Sequence, residues 1–155
     1  MSQLPRTREQ RRTDTLAKLT TPAIDVWVST SSVGEDGTTL PYLIPLSLAW
    51  LDDRVVIAVE ERSLTARNLI NSGRARLALG PTRDVVLIDA ELERVVPVPD
   101  APPEVGEGYA GQADWDPRGD DGYVYLLLRP TRIQAWREAN ETKGRTLMRA
   151  GRWLP

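Results

Sequence analysis

The segment EERSLTARNLINSGRARLALG, residues 60–80, is typical of the end of a strand, a short helix and a second strand. Ser63 predicts the start of the helix, because a serine hydroxyl can accept a hydrogen bond from a backbone N–H two or three residues further on. Gly73 predicts its end, since glycine readily adopts the left-handed conformation found there. The pattern therefore predicts a helix over residues 64–72.

Two polar side chains, Thr65 and Arg67, follow Ser63 at the start of this helix. The first turn of a helix has unpaired N–H groups and a partial positive charge, so it attracts anions. An arginine there is unfavourable unless an anion or a carboxylate offsets its charge. Two interpretations follow: a phosphate binds at the helix start, or Arg67 forms an ion pair with Glu60 or Glu61.

Apolar alternation predicts antiparallel strands before this helix. The expected elements are one helix and three strands: residues 6–20, 25–32, 38–50 and 54–60. The sequence GEDG predicts a hairpin turn between the first two strands. In the second strand, the apolar side chains of one face are Leu40, Tyr42, Ile44, Leu46, Leu48 and Trp50.

Further strands are expected after Gly73. They are RARLALG, DVVLIDAELERVV, YVYLLLR, TRIQAW and the pair RTLMR and RWL. Residues 97–122 are expected to form a long connecting segment that contains a short helix at 104–112. Short strands joined by tight turns predict a mainly β fold, a small closed or partly closed antiparallel barrel. We expect one domain over residues 15–155, after an arm or helix start at 1–14.

The composition excludes several kinds of chemistry. The 155 residues contain no cysteine and no histidine, so catalytic triads, thiolate nucleophiles and haem or metal sites that need these ligands cannot be built. No clustered carboxylates predict a metal site. An enzyme of this sequence would therefore depend on a bound cofactor. No long apolar run or secretory signal is evident, so we expect no membrane association and a cytoplasmic location.

Charge gives little reason to expect nucleic-acid binding. The formal net charge is −2, so the chain has no overall basic field. The cluster Arg6, Arg8, Arg11 and Arg12 is either a nucleic-acid-binding arm or the solvated start of the first helix, and the second interpretation is favoured.

The motifs together resemble the flavin-binding split-barrel family that includes pyridoxamine 5′-phosphate oxidase. RSLTARNLINSGRARLALG followed by TRDVVLIDAELERV carries the resemblance, with PYLIPLSLAW before it. RPTRIQAWREANETKGRTLMRAGRWLP is similar to the C-terminal segment of the oxidase. The resemblance covers residues 15–155 and implies a six-stranded antiparallel split barrel that forms a homodimer with two cofactor sites between its subunits.

Roles for particular residues are implied by the same resemblance. Ser63 matches the serine that caps the phosphate-binding helix, and Asp84 occupies the place of a glutamine that hydrogen-bonds the flavin. Trp136 and Arg145 match a tryptophan and an arginine that reach the cofactor across the dimer interface. The strand residues expected to contact the cofactor are Leu46, Ser47, Ala58 and Val59.

The sequence also departs from the oxidases. Leu64 and Thr65 stand where the oxidases have Arg-Lys, which leaves Arg67 as the replacement donor. Glu141, Thr142 and Lys143 replace an Arg-x-His that holds the phosphate of the oxidase substrate, so oxidation of vitamin B6 is not expected.

The expected function is that of an FMN-dependent oxidoreductase that exchanges hydride with a small-molecule substrate. The deazaflavin coenzyme F420 is the alternative cofactor, and a non-catalytic flavin-storage protein is the alternative function. No residue is assigned a catalytic role.

Overall fold

The structure is a computed structural model that describes residues 3–155. Helix α1 (Arg8–Leu19) begins after Thr7, whose hydroxyl accepts a hydrogen bond from the backbone N–H of Gln10 at 3.1 Å. Residues 8–14 are therefore the first turns of a helix that continues to Leu19. Of the segment 1–14 predicted as an arm or helix start, residues 8–14 are helical.

Two further helices and nine strands make up the rest of the fold. The strands are β1 (Asp25–Val33), β2 (Thr39–Ser47), β3 (Ala49–Leu51), β4 (Arg54–Glu60), β5 (Arg74–Leu79), β6 (Val85–Pro97), β7 (Tyr123–Trp136), β8 (Thr146–Arg149) and β9 (Arg152–Trp153). The helices are α2 (Leu64–Ser72) and α3 (Pro103–Gln112). The predicted bounds of the helix after Ser63 are confirmed, and Gly73 ends it in the left-handed region with φ of 73°.

All nine strands belong to one antiparallel sheet, in the order β2-β1-β5-β6-β7-β4-β3, with β8 and β9 attached to β7. The end strands β2 and β3 do not pair with each other, so the sheet is not closed. In a flat sheet with about 4.8 Å between neighbours, they would lie roughly 29 Å apart. Only Leu48 separates them in the chain, and one residue spans about 3.5 Å. The sheet therefore curls into a barrel that remains split between β2 and β4.

The strand count differs from the expected six for two physical reasons. The predicted strand over 38–50 breaks at Leu48, where the chain passes from one end of the sheet to the other. The C-terminal β8 and β9 form a separate small hairpin. By contrast, YVYLLLR and TRIQAW, expected as two strands, form the single strand β7. Pro130 lies at a bulge, where the pairing moves from Ala90–Pro130 to Asp89–Arg132.

The inward faces of the strands and the buried side of α2 form the main core, which includes the fully buried Leu48, Leu69 and Ile57. A second, smaller cluster lies on the outer side of β4 and β7, where α3 packs with Tyr109 against them. The approach of α3 to β3 is very close: a Cβ added to Gly108 would lie 2.8 Å from Leu51 Cδ2. A side chain at this position would require the Leu51 side chain or the helix to shift.

An ion-pair network links the N-terminal segment and α1 to the residues before β6 and after β7. Arg6 Nη2 lies 2.7 Å from Glu141 Oε2, and both side chains are more than nine-tenths buried. Arg6 Nη1 also contacts Asp14 Oδ2 at 2.8 Å, and Lys18 Nζ contacts Asp84 Oδ1 at 2.8 Å. These pairs join α1 to the start of β6 and to the 3₁₀ turn Ala139–Glu141.

The same contacts explain the N-terminal arginine cluster. Arg6 belongs to the ion-pair network, and the buried Arg11 donates through Nη1 to the main-chain oxygen of Glu141 at 3.1 Å. The guanidinium of Arg12 lies 4.7 Å from the ring centroid of Trp153. Only Arg8 remains exposed without a side-chain partner within residues 3–155. The geometry therefore favours the interpretation as a helix start over a nucleic-acid-binding arm.

Glu141 is expected to make the stability of the protein depend on acid pH. The hydrogen bond from Arg6 is the main cause that lowers its carboxyl pKa from 4.5 to about 2, against the opposing effect of burial. Because the pKa is lower in the folded state, the stabilisation is complete above the ordinary value and is lost as pH falls towards 2. Glu141→Gln should reduce the free energy of unfolding at pH 7 by about 3 kcal/mol, measured by urea denaturation.

Glu138→Gln is the matched control, because Glu138 is exposed and pairs only with the exposed Arg83. Its stability should match that of the wild type. Equal acid sensitivity of the Glu141→Gln variant and the wild type below pH 4.5 would show that the pKa of Glu141 is not lowered.

Candidate functional site

The start of α2 carries partial positive charge that the chain does not neutralise. Ser63 caps the helix, with its Oγ accepting from the N–H of Ala66 at 3.2 Å. The N–H groups of Leu64 and Thr65 have no acceptor within residues 3–155. No acidic residue lies in the first turn. The N–H of the half-buried Leu64 therefore remains available to an anion, whereas Thr65 is fully buried.

Arginine side chains beside this helix start are also free. Arg67 is exposed and forms no ion pair with a carboxylate in the described part of the chain, and neither do the exposed Glu60 and Glu61. The ion pair considered for Arg67 is therefore not present. Arg62, which sequence reasoning left out, is likewise exposed and unpaired there. Its position directly before the capping Ser63 was the available signal.

Thr65 lies on the core side of α2. Its side chain is fully buried, and its Oγ1 has no hydrogen-bond partner within residues 3–155. The nearby Asn68, also buried, satisfies one of its own donors through Thr30 Oγ1 at 3.1 Å. Thr65 therefore offers no donor at the surface, from either its hydroxyl or its backbone.

Four predicted site residues meet at the split between β2 and β4. β3 pairs with β4 so that Ala49 lies opposite Val56. Continued past the break, this register would set Ser47 opposite Ala58 and Leu46 opposite Val59. No backbone pairing forms there, although β2 and β4 remain in contact. The split consequently leaves backbone edges of both strands unpaired, next to the start of α2.

One side of the split is filled by the chain itself. The side chain of Ala58 is buried in the cluster under α3, together with Tyr109 and Tyr125. Burial raises the pKa of Tyr109 to about 12, and its hydroxyl has no hydrogen-bond partner within residues 3–155. Val59 points into the barrel core. These two strand residues can therefore offer only backbone atoms to a ligand.

The remaining predicted residues lie at the opposite end of β7 from α2. The end of β4 lies beside Tyr123 at the start of β7, whereas Trp136 is the last residue of this 14-residue strand. At about 3.3 Å per residue, the two ends are roughly 40 Å apart along the strand. Arg145 stays with Trp136, its guanidinium 5.0 Å from the ring centroid.

Asp84 lies at this same distant end, where Val85 pairs with Trp136. Its carboxylate is engaged by the chain: Oδ1 contacts Lys18 Nζ at 2.8 Å and Oδ2 contacts Arg137 Nε at 3.4 Å. The structure thus places Asp84 in the ion-pair network.

The outer face of the sheet has an exposed apolar row that leads towards Trp136. The apolar residues of this row, paired strand by strand from β2 to β6, are Pro45, Trp27, Ala78 and Leu87, and Leu87 pairs with the buried, polar Gln134 of β7. Trp27 is 50% exposed, and Leu43 on the same face is 57% exposed. Such an apolar surface is typical of an interaction site.

Residues 3–155 show no group of three or more acidic side chains that could hold a metal ion. None of the helices in that part of the chain is both long and apolar enough to span a membrane.

Known proteins match this chain in structure only. No family model and no curated protein matches it. An F420 reductase has a TM-score of 0.59 at 19% identity, covering 76% of this chain and 93% of the reductase. A putative pyridoxamine 5′-phosphate oxidase from Listeria innocua has a TM-score of 0.56 at 14% identity, covering 81% of this chain and 98% of that one.

A heme-binding protein from Mycobacterium smegmatis has a TM-score of 0.60 at 16% identity, covering 94% of this chain and 59% of that protein. Identities this low establish the fold alone. The split-barrel fold expected from the sequence resemblance is confirmed, and the chain shares it with these proteins.

Thr65→Val tests the placement of this hydroxyl. Because Oγ1 is buried without a partner, the valine variant should be at least as stable as the wild type, with a gain of about 1 kcal/mol. Thermal unfolding without ligand measures this. A loss of more than about 1 kcal/mol would show that the hydroxyl has a hydrogen-bond partner. Asn68→Leu is the contrasting variant, since it removes a buried hydrogen bond and should destabilise the fold.

Proposed function

We propose that this chain binds a flavin-type cofactor with its phosphate against the start of α2. One observation carries the proposal: within residues 3–155, the unpaired N–H of Leu64 and two exposed arginines without ion pairs, Arg62 and Arg67, flank the capped start of α2. Phosphate is the anion that such helix starts commonly bind. The residues proposed to hold it are Arg62, Ser63, Leu64 and Arg67; Thr65, expected there from the sequence, is fully buried and is left out.

The ring of the cofactor would lie along the split. The unpaired edges of β2 and β4 supply backbone donors and acceptors there, and α3 closes the side next to Ala58. The strand residues proposed to contact the ring through their backbone are Leu46, Ser47, Ala58 and Val59. FMN is our first choice of cofactor, and the deazaflavin coenzyme F420 is the second, supported by the structural likeness to an F420 reductase.

We further propose a homodimer formed through the outer face of the sheet. Within one subunit, Trp136 and Arg145 lie too far along β7 to reach the start of α2. The exposed apolar row containing Trp27 offers a surface for a second copy. Association in a symmetric dimer would carry the Trp136–Arg145 pair of one subunit towards the split of the other.

The proposed activity is hydride exchange between the cofactor and a small molecule. The chain has no histidine or cysteine, and the split is lined by backbone rather than by titratable side chains. The residues would therefore bind and orient the cofactor and exclude water from one side of its ring, while FMN or the deazaflavin supplies the redox chemistry. Heme is disfavoured because its usual histidine and cysteine ligands are absent.

Arg67→Ala tests the phosphate position. We expect at least a tenfold loss of affinity for FMN, because a charge-assisted hydrogen bond contributes about 1.5–3 kcal/mol. Quenching of flavin fluorescence measures the affinity, and the deazaflavin is titrated in the same way. Arg94→Ala is the control, since Arg94 is exposed and unpaired elsewhere. Undiminished binding by the Arg67→Ala variant would refute the proposed site.

Mixing two defective variants tests the shared site. Arg67→Ala and Trp136→Ala are each expected to lose cofactor binding, but a heterodimer of the two contains one site with both residues intact. Random reassociation should therefore restore about one quarter of the sites. No recovery after mixing, with a dimer confirmed by analytical ultracentrifugation, would place both residues in the site of one subunit. A monomeric wild type would refute the dimer itself.

A substrate-dependent change in the absorption of the bound cofactor separates an enzyme from a storage protein. We expect such a change with a suitable hydride donor. Tight cofactor binding without any redox change across a panel of small-molecule donors and acceptors would favour storage.

A further inference from the structure

We propose that a second cavity binds a compact polyanion, a small molecule with two or more adjacent phosphate groups and no aromatic ring. The cavity measures about 540 Å³ and lies beside the outer end of β7, the turn that follows it, β8 and the start of α1. Its cationic lining side chains are Arg8, Arg132, Lys143, Arg145 and Arg149. This region is called the basic cavity below.

Among residues 3–155, no aspartate or glutamate side chain neutralises the positive charges of the basic cavity. No carboxylate side chain lines it. Within residues 3–155, none of its five cations forms an ion pair with an aspartate or glutamate. Arg8 donates only to the main-chain oxygen of Pro155, and Arg145 lies over Trp136.

The overall composition makes this concentration of positive charge unusual. Acidic residues outnumber basic ones in the whole sequence by 22 to 20. Like charges gathered in one cavity repel each other, and a polyanion that binds there removes that repulsion. A multiply charged ligand therefore gains more from this site than a single phosphate does.

Several of these cationic side chains are carried by β7, β8 and the turn between them. Arg132 and Gln134 alternate along the outer face of β7, and Gln134 is only 9% exposed. Its Nε2 donates to Thr146 Oγ1 at 3.2 Å, which fixes β7 against the following turn. Gly144 has a φ of +72°, a conformation that glycine readily adopts, and so allows the turn between β7 and β8. Lys143 and Arg145 lie on either side of this glycine in the sequence. The arrangement is consequently held by the fold.

The lining selects the chemical class of the ligand. Leu154 is the only apolar side chain among the lining residues, so the cavity offers no broad apolar surface for an aromatic base. The indole of Trp136 is covered by Arg145. Arginine guanidinium groups bind phosphate oxygens in bidentate fashion. Phosphate-rich small molecules without an aromatic ring fit these properties best.

Calorimetric titration of the full chain with inorganic pyrophosphate tests the proposal. Arg132→Ser/Arg149→Ser should reduce the affinity for pyrophosphate at least tenfold, since two charge-assisted contacts are removed. The charge-matched control is Arg74→Ser/Arg94→Ser, which changes two exposed arginines outside the cavity and should bind as the wild type does. Equal affinity of all three proteins would overturn the proposal.

The same variants distinguish this proposal from the cofactor site. Arg145 belongs to both, but Arg132 and Arg149 have no part in the proposed flavin site. Unchanged FMN affinity in Arg132→Ser/Arg149→Ser supports a separate polyanion site, and parallel loss of FMN and pyrophosphate overturns it. If Arg67→Ala leaves FMN binding intact while pyrophosphate still depends on Arg132 and Arg149, the proposed function fails and the polyanion site stands.

A nucleic-acid backbone is the remaining occupant to exclude. A random DNA duplex should fail to displace pyrophosphate from the wild type at physiological salt. Displacement by the duplex, abolished in Arg132→Ser/Arg149→Ser, would assign the basic cavity to nucleic acid and overturn the proposal.

Discussion

A single buried residue, Leu48, joins the two end strands of the sheet, and the shape of the protein depends on this covalent constraint. Because β2 and β3 cannot move apart, the sheet must curl, and its inward faces must form one enclosed core. The strands cannot close completely, since β3 is only three residues long and leaves the later part of β4 without a partner on that side. The split and its unpaired backbone edges follow from this mismatch in strand length.

Local signals in the sequence predicted local structure well. Ser63 and Gly73 defined α2 to the residue, because capping depends on side chains next to the helix ends. The alternation of apolar residues over 38–50 could not locate the break at Leu48. A buried apolar residue at which the chain leaves the strand has the same character as one inside the strand. The sequence predicts two strands on either side of Pro130, but a bulge in β7 at Thr131 accommodates the proline within one strand.

The candidate site was predictable to the extent that it depends on local chemistry. Arg67 and the unpaired N–H of Leu64 lie at the start of α2, where the pattern indicated. The buried position of the Thr65 hydroxyl depends on how α2 rotates against the core, which the sequence near it does not determine. The ion pairs of Asp84 are long-range, since they involve α1 and the segment after β7, so no local motif could have revealed them.

The close packing of α3 on β3 has a stereochemical consequence. Gly108 leaves no space between the helix and Leu51, so α3 lies fixed against that side of the split. If the proposed cofactor binds in the split, α3 would close one face of its ring, and a substrate would approach the other face. Hydrogen would then be exchanged at one prochiral face only, and a deuterium label would be transferred with a single handedness.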